Sequence, residues 1–164
     1  MGLFDKLFKK EETKAYGDDE LIAPCQGKLV TNAEISDPVF AENMMGKTIG
    51  FEPSEGTIVA PCNGKMETVF PTGHAFGIRM NDGAGILVHV GIDTVSMNGD
   101  GFKVFKKQGE SVKAGEKVVV CDLKKIKEKG LAATTMLIVT EPAEGKEYNF
   151  IDPQEVSLGQ KVNK

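Results

Sequence analysis

From Glu20 onward, glycine, proline, asparagine and aspartate interrupt the chain every few residues, and the apolar runs between them are too short for ordinary helices. That punctuation predicts an all-β domain, with strands over residues 21–23, 27–30, 56–60, 64–70, 74–80, 86–92, 102–105, 117–121, 136–140 and 148–151. Only 40–45, introduced by Ser36-Asp37-Pro38, and 123–129 read as short helical turns. Internal repetition adds a second constraint. IAPCQGKLV, starting at Ile22, returns as VAPCNGKME, starting at Val59, thirty-seven residues later. Each copy reads as strand, turn, strand, because the Pro and Gly that flank the cysteine do not continue a ladder. Two copies are too few for a solenoid, so the echo implies duplication within one closed sandwich.

The chain of 164 residues is long enough to bury one core, which gives a single domain over 20–164 behind a tail of residues 1–19. In that tail Leu3, Phe4, Leu7 and Phe8 share helical spacing while Lys6, Lys9 and Lys10 supply charge. It reads either as a disordered terminus or as a weak foothold on an anionic membrane surface. Lys6 stands where a myristoylation signal wants Ser or Thr. The net charge is −4 and the basic residues are scattered, which argues against nucleic acid as a partner. Cys25, Cys62 and Cys121 form no CxxC, and no secretory signal precedes them, so a reduced, cytoplasmic protein is expected, with Cys25 and Cys62 as small buried hydrophobes. No apolar run reaches the roughly 18 residues of a spanning helix.

The chain has two histidines, His74 in PTGHAFGI and His89 in LVHVGID. Along 86–92 the aliphatics Ile86, Val88, Val90 and Ile92 share one face and Leu87, His89 and Gly91 the other, so His89 points away from the core. With Asp82-Gly83 as the centre of a two-residue hairpin turn, His74 falls opposite Gly91 and His89 opposite Phe76. The histidines would then be diagonal neighbours, roughly 7–8 Å apart, on a face shared with Phe76, Ile78 and Leu87. A one-residue slip would place them on opposite faces.

Three chemistries could use such a pair. A zinc hydrolase wants a third ligand and a base, and the chain has no HxH or HExxH; Asp93, four residues after His89, could serve as a ligand but leaves the set one short. A serine or cysteine nucleophile lacks its usual motif. Histidine as nucleophile survives, because neutral imidazole can take a phosphoryl group on one nitrogen and release it again.

PTGHAFGI followed by LVHVGIDTV resembles the glucose-type enzyme IIA component of the phosphoenolpyruvate-dependent sugar phosphotransferase system, as do IAPCQGKLV, DPVFAENMMG and GESVKAGEKVVVCDL. The resemblance implies a flattened, antiparallel barrel-sandwich of duplicated origin, without a required cofactor. It implies that His89 takes phosphate from the carrier HPr on Nε2 and passes it to a cysteine of a sugar-specific IIB domain. His74 would assist the transfer, Thr72 would orient His74, and the Gly91 carbonyl would fix the tautomer of His89. An apolar collar of Val39, Phe40, Met44, Met45, Phe70, Phe76, Leu87 and Val95 would dock partners, and Asp37 and Asp93 would meet arginines of HPr. The family also implies zinc held by His74 and His89 with a ligand from a partner, and phosphorylation-dependent regulation of transporters or enzymes.

Overall fold

The computed structural model describes residues 15–164, so the expectations for most of the N-terminal tail lie outside the described residues. Eleven strands follow in chain order: β1 (Gly27–Thr31), β2 (Lys47–Pro53), β3 (Thr57–Val59), β4 (Gly64–Val69), β5 (Ala75–Met80), β6 (Gly85–Val90), β7 (Phe102–Val104), β8 (Ser111–Val112), β9 (Lys117–Cys121), β10 (Thr135–Glu141) and β11 (Glu155–Val156). Two short helices, α1 (Pro38–Ala41) and α2 (Leu123–Glu128), interrupt them. All strand pairs are antiparallel, in an eight-stranded sheet ordered β11-β1-β2-β10-β6-β5-β4-β8 and a three-stranded sheet ordered β3-β9-β7.

The larger sheet reads as the same pattern from either end: β11-β1-β2-β10 on one side mirrors β8-β4-β5-β6 on the other. The sequence echo sits on this symmetry. Ile22 N–H bonds the Pro61 carbonyl and Val59 N–H bonds the Pro24 carbonyl, each at 2.8 Å, so the two Ala-Pro-Cys turns hold each other reciprocally. Gly27 and Gly64 open the corresponding strands, and a Cβ on either would fall about 2 Å from a neighbouring carbonyl, at Glu52 and Arg79 respectively. A second repeat becomes visible with the pairing: Glu110–Val118 and Gln154–Val162, forty-four residues apart, supply β8 and β11 in equivalent places.

Strand alternation builds the core from Leu29, Phe51, Met66, Phe76, Ile78, Ile86, Val88 and Leu137, each at most 2 % exposed. A smaller cluster of Ile35, Phe40, Ile92, Met136 and Ile138, with Leu87 against it, covers the other face of the central pair β6 and β10. Burial on both faces explains why Thr135–Val139 shows no polar alternation. Cys25, Cys62 and Cys121 are all buried. Burial pushes the thiols of Cys25 and Cys121 up to about 12 and about 11, and raises that of Cys62 as well. Native protein at pH 8 is therefore expected to react with a thiol reagent at least about a hundredfold more slowly than the denatured chain, read from absorbance of the released thiolate.

β2 goes undetected in sequence because Gly50 breaks its pattern; a Cβ there would meet Val30 at 2.9 Å. Residues 148–151 form only an isolated bridge, Phe150 to Asn163. Helix α1 begins at Pro38, not Phe40, because the Asp37 side chain accepts from Val39 N–H and Pro suits the first helical position. The hairpin β5–β6 closes through three residues, Asn81-Asp82-Gly83, with Met80 N–H bonded to the Ala84 carbonyl at 2.8 Å and Gly83 at φ 98°. The register shifts by one: His89 lies opposite Ala75, and Phe76 opposite Val88. Phe76 and Ile78 consequently face the core, at 0 % and 1 % exposure, and Phe76 does not belong to the docking face.

Candidate functional site

His89 is aimed by its own strand. Ile86, Val88 and Val90 are buried on the core side, which leaves Leu87 and His89 half-buried on the other. Directly after β6 the chain turns at Gly91, whose φ is 80°. A Cβ at Gly91 would lie 2.3 Å from Thr94 Cγ2, so only glycine fits. The turn swings the Gly91 carbonyl back onto the ring, and His89 Nδ1 donates to it at 2.7 Å. A carbonyl can only accept, so the proton resides on Nδ1 and Nε2 keeps its lone pair. Thr94, absent from the sequence reading, closes this turn: its buried hydroxyl donates to the Val90 carbonyl. The only sequence signal for it is a hydroxyl three residues beyond a turn glycine.

His74 arrives from a different direction. It follows the turn Pro71-Thr72-Gly73, in which Gly73 takes φ 73° and bonds the Phe70 carbonyl at 2.8 Å. Thr72 Oγ1 lies 2.6 Å from His74 Nδ1, which anchors the ring. The imidazoles of His74 and His89 meet edge to face, with centroids 5.1 Å apart and planes at 82°. The convergence expected of a two-residue turn therefore occurs with the slipped register. Alternation binds residues inside a ladder, and His74 lies one residue before β5, where the Thr72-Gly73 turn sets its direction. Phe40 stands 5.1 Å from His89 and Phe70 stands 5.2 Å from His74, so four rings run in a row: Phe40, His89, His74, Phe70.

Burial lowers the basicity of both imidazoles. For His89 the Gly91 carbonyl and the carboxylates of Asp37 and Asp93 offset part of that loss; for His74 the neighbouring His89 adds to it. Each folded value lies below the ordinary 6.5, so the unfolded chain takes up protons that the folded site refuses. The stability these groups allow is full above about pH 6.5 and is lost as pH falls through the window below it. Urea unfolding between pH 7 and pH 5 is expected to show a shallower decline for the double variant His74→Gln/His89→Gln than for the parent.

Around the rings the surface is apolar and exposed. Val39, Met44, Met45, Phe70 and Val95 are five of the seven exposed large hydrophobics among the described residues. Phe40 is buried, so it forms a wall of the site rather than its rim. Asp37 caps α1, and Asp93 stands exposed with φ 61° just past the Gly91 turn. A concavity of about 750 Å³ lies away from the histidines, between Tyr16, Asn63 and Ser111. On the side of Phe70 and Leu87 lies a shallow cleft of about 230 Å³, which Gly77 also borders. The histidines thus lie on an open face rather than at the bottom of either of these concavities. Among the described residues no group of three His, Cys, Asp or Glu side chains could hold a metal ion, and no helix is long and apolar enough to cross a membrane.

Comparison with known proteins shows the family. The model of the family described as phosphoenolpyruvate-dependent sugar phosphotransferase system, EIIA 1, matches residues 19–145. The glucose-specific EIIA component of Staphylococcus aureus (strain COL) is 36 % identical over 158 residues, covering 96 % of this chain and 95 % of the relative. That of Staphylococcus epidermidis (strain RP62A) matches to the same degree. The solved glucose permease IIA of Mycoplasma capricolum superimposes with a TM-score of 0.84 at 40 % identity, covering 88 % of this chain and 93 % of that one. The chain belongs to the EIIA 1 family of the phosphoenolpyruvate-dependent sugar phosphotransferase system, a phosphotransferase component that carries phosphoryl groups in sugar uptake between HPr and a IIB or permease component.

Proposed function

We propose that His89 is the phosphoryl carrier, taking phosphate from phospho-HPr on Nε2 and passing it to a cysteine of a glucose-type IIB domain in the cytoplasm. The observation that carries this reading is the Nδ1–H bond to the Gly91 carbonyl, which leaves Nε2 as the nucleophile. In the transfer, Nε2 attacks phosphorus in line as the donor's P–N bond breaks. Because Nδ1 retains its proton, the phosphorylated ring becomes cationic, facing the Gly91 carbonyl and within the field of Asp37 and Asp93. That charge makes the ring a good leaving group for the next step.

His74 assists. With the Thr72 hydroxyl donating to Nδ1, the proton of His74 sits on Nε2 and can bond a phosphoryl oxygen. The exposed Val39, Met44, Met45, Phe70 and Val95, with Leu87, form the collar that excludes water from the phosphohistidine, while Asp37 and Asp93 steer arginines of HPr. Glucose as the transported sugar follows the names of the relatives. No metal enters this transfer. Zinc at His74 and His89 would need further ligands from a partner to reach a tetrahedral set. The same exposed collar supports a second role, docking of regulatory targets by the unphosphorylated face.

Incubation with phosphoenolpyruvate, enzyme I and HPr is expected to install one phosphate per chain, stable in base and lost in acid. Phosphorus–nitrogen coupling in NMR is expected at Nε2 of His89. Coupling at Nδ1, or a phosphate that survives acid, would contradict the reading.

A further inference from the structure

We infer that Met44 and Met45 are a redox-sensitive modification site, whose oxidation by a peroxide-class oxidant weakens partner docking at the histidine face. The inference rests on the docking role proposed above for that face. Among the described methionines the division is sharp. Met66, Met80, Met97 and Met136 are at most 7 % exposed, whereas Met44 is 69 % and Met45 42 % exposed.

The backbone holds both thioethers outward. Asn43 takes the left-handed conformation at φ 55°, and its side-chain oxygen accepts from Thr48 N–H at 3.0 Å. Met44 N–H bonds the Val39 carbonyl at 3.0 Å, tying the pair to α1, the helix that sets Phe40 against His89. Gly46 closes the loop at φ 140°, where a Cβ would fall 2.0 Å from the Val139 carbonyl. The buried cluster to which Phe40 belongs, with Ile35, Ile92, Met136 and Ile138, includes neither Met44 nor Met45. The loop therefore keeps the two sulfurs at the surface instead of letting them fold into the core.

Chemically, the thioether sulfur attacks the peroxide O–O bond, takes up one oxygen as the sulfoxide and releases water, a two-electron oxidation of sulfur matched by reduction of peroxide. The product is polar and carries a strong acceptor oxygen. Placed in a collar that must lose water on docking, that oxygen has to be desolvated without a partner, so the complex weakens while the fold is untouched. Linkage runs both ways: a docked partner covers the sulfurs and slows their oxidation.

The test is mild hydrogen peroxide on the whole protein, followed by peptide mass spectrometry and stopped-flow phosphoryl transfer from phospho-HPr. Oxygen is expected on Met44 and Met45 at least about tenfold faster than on the four buried methionines. Transfer at sub-saturating HPr is expected to slow by about tenfold, which corresponds to about 1.4 kcal/mol, and to recover after methionine sulfoxide reductase. Met44→Leu/Met45→Leu, each rate normalised to its own untreated value, should become insensitive to peroxide. Unphosphorylated HPr at saturating concentration should protect both sulfurs.

Uniform oxidation of all the methionines, or selective oxidation without loss of transfer, would overturn the inference. If selective oxidation occurs but HPr neither protects nor is slowed, while His89 still takes phosphate, docking lies elsewhere. If no phosphate is taken by the untreated protein, the carrier reading itself fails.

Discussion

His89→Gln is expected to fold normally and to accept no phosphate, with labelling from phosphoenolpyruvate, enzyme I and HPr below about one-thousandth of the parent. The substitution is chosen to keep the half-buried volume beside Phe40, and a Gln amide can still donate toward the Gly91 carbonyl. What it cannot supply is a nitrogen lone pair, because that of an amide is delocalised into its carbonyl. Thermal unfolding within about 1 kcal/mol of the parent would exclude a folding defect as the cause. Normal labelling of this variant would remove His89 from the carrier role.

The second large effect belongs to His74. His74→Gln is expected to accept phosphate from phospho-HPr yet deliver it to a IIB domain more slowly by about 10²–10³-fold, because a Gln N–H set at the Nε2 position leaves no ring nitrogen for Thr72 to anchor, and losing one held donor to developing charge typically costs that much. Acceptance needs the nucleophile, and the Gly91 bond that sets its tautomer is untouched by the change. Delivery starts from a phosphoryl group held by this protein alone, so its orientation depends on the neighbouring ring 5.1 Å away. Thr72→Val, which removes the hydroxyl anchoring that ring, should show a smaller loss in the same step. Rapid-quench transfer from purified phosphoprotein reads both variants. Delivery by His74→Gln at the parental rate would leave His74 as a packing residue.

The residues differ in how readable they were. His89 was legible because the aliphatics at Ile86, Val88 and Val90 bury their face and thereby expose the alternate one. The duplication was legible as a repeated string, and it reappears as reciprocal hydrogen bonds between the Ala-Pro-Cys turns. β2 was not, since Gly50 erases its alternation, and its need for glycine comes from Val30 and Ile35, residues in other segments. Phe76 changes face with one hairpin residue: a two-residue turn puts it beside His89, whereas the three-residue loop puts it in the core. The choice between two and three loop residues rests on the Asp82 side chain accepting from Ala84 N–H and on Gly83 adopting positive φ, a competition that the dipeptide Asp-Gly does not settle.

Read from the chain alone, then, are the properties that one segment carries: an all-β composition, a repeated turn and a histidine opposite an aliphatic wall. These are local because side-chain direction in a strand has a period of two and turn chemistry acts over a few residues. Folding in three dimensions settled the rest. It paired β5 with β6 in the slipped register and brought Phe40, His89, and the Phe70–His74 turn, from three separate stretches, together so that four rings form one row. It also held Met44 and Met45 out at the surface, tied to α1 through the Val39 carbonyl. Such contacts depend on how distant segments close on a shared core, where a shift of one residue sends a side chain to the opposite face, and no local period records that choice.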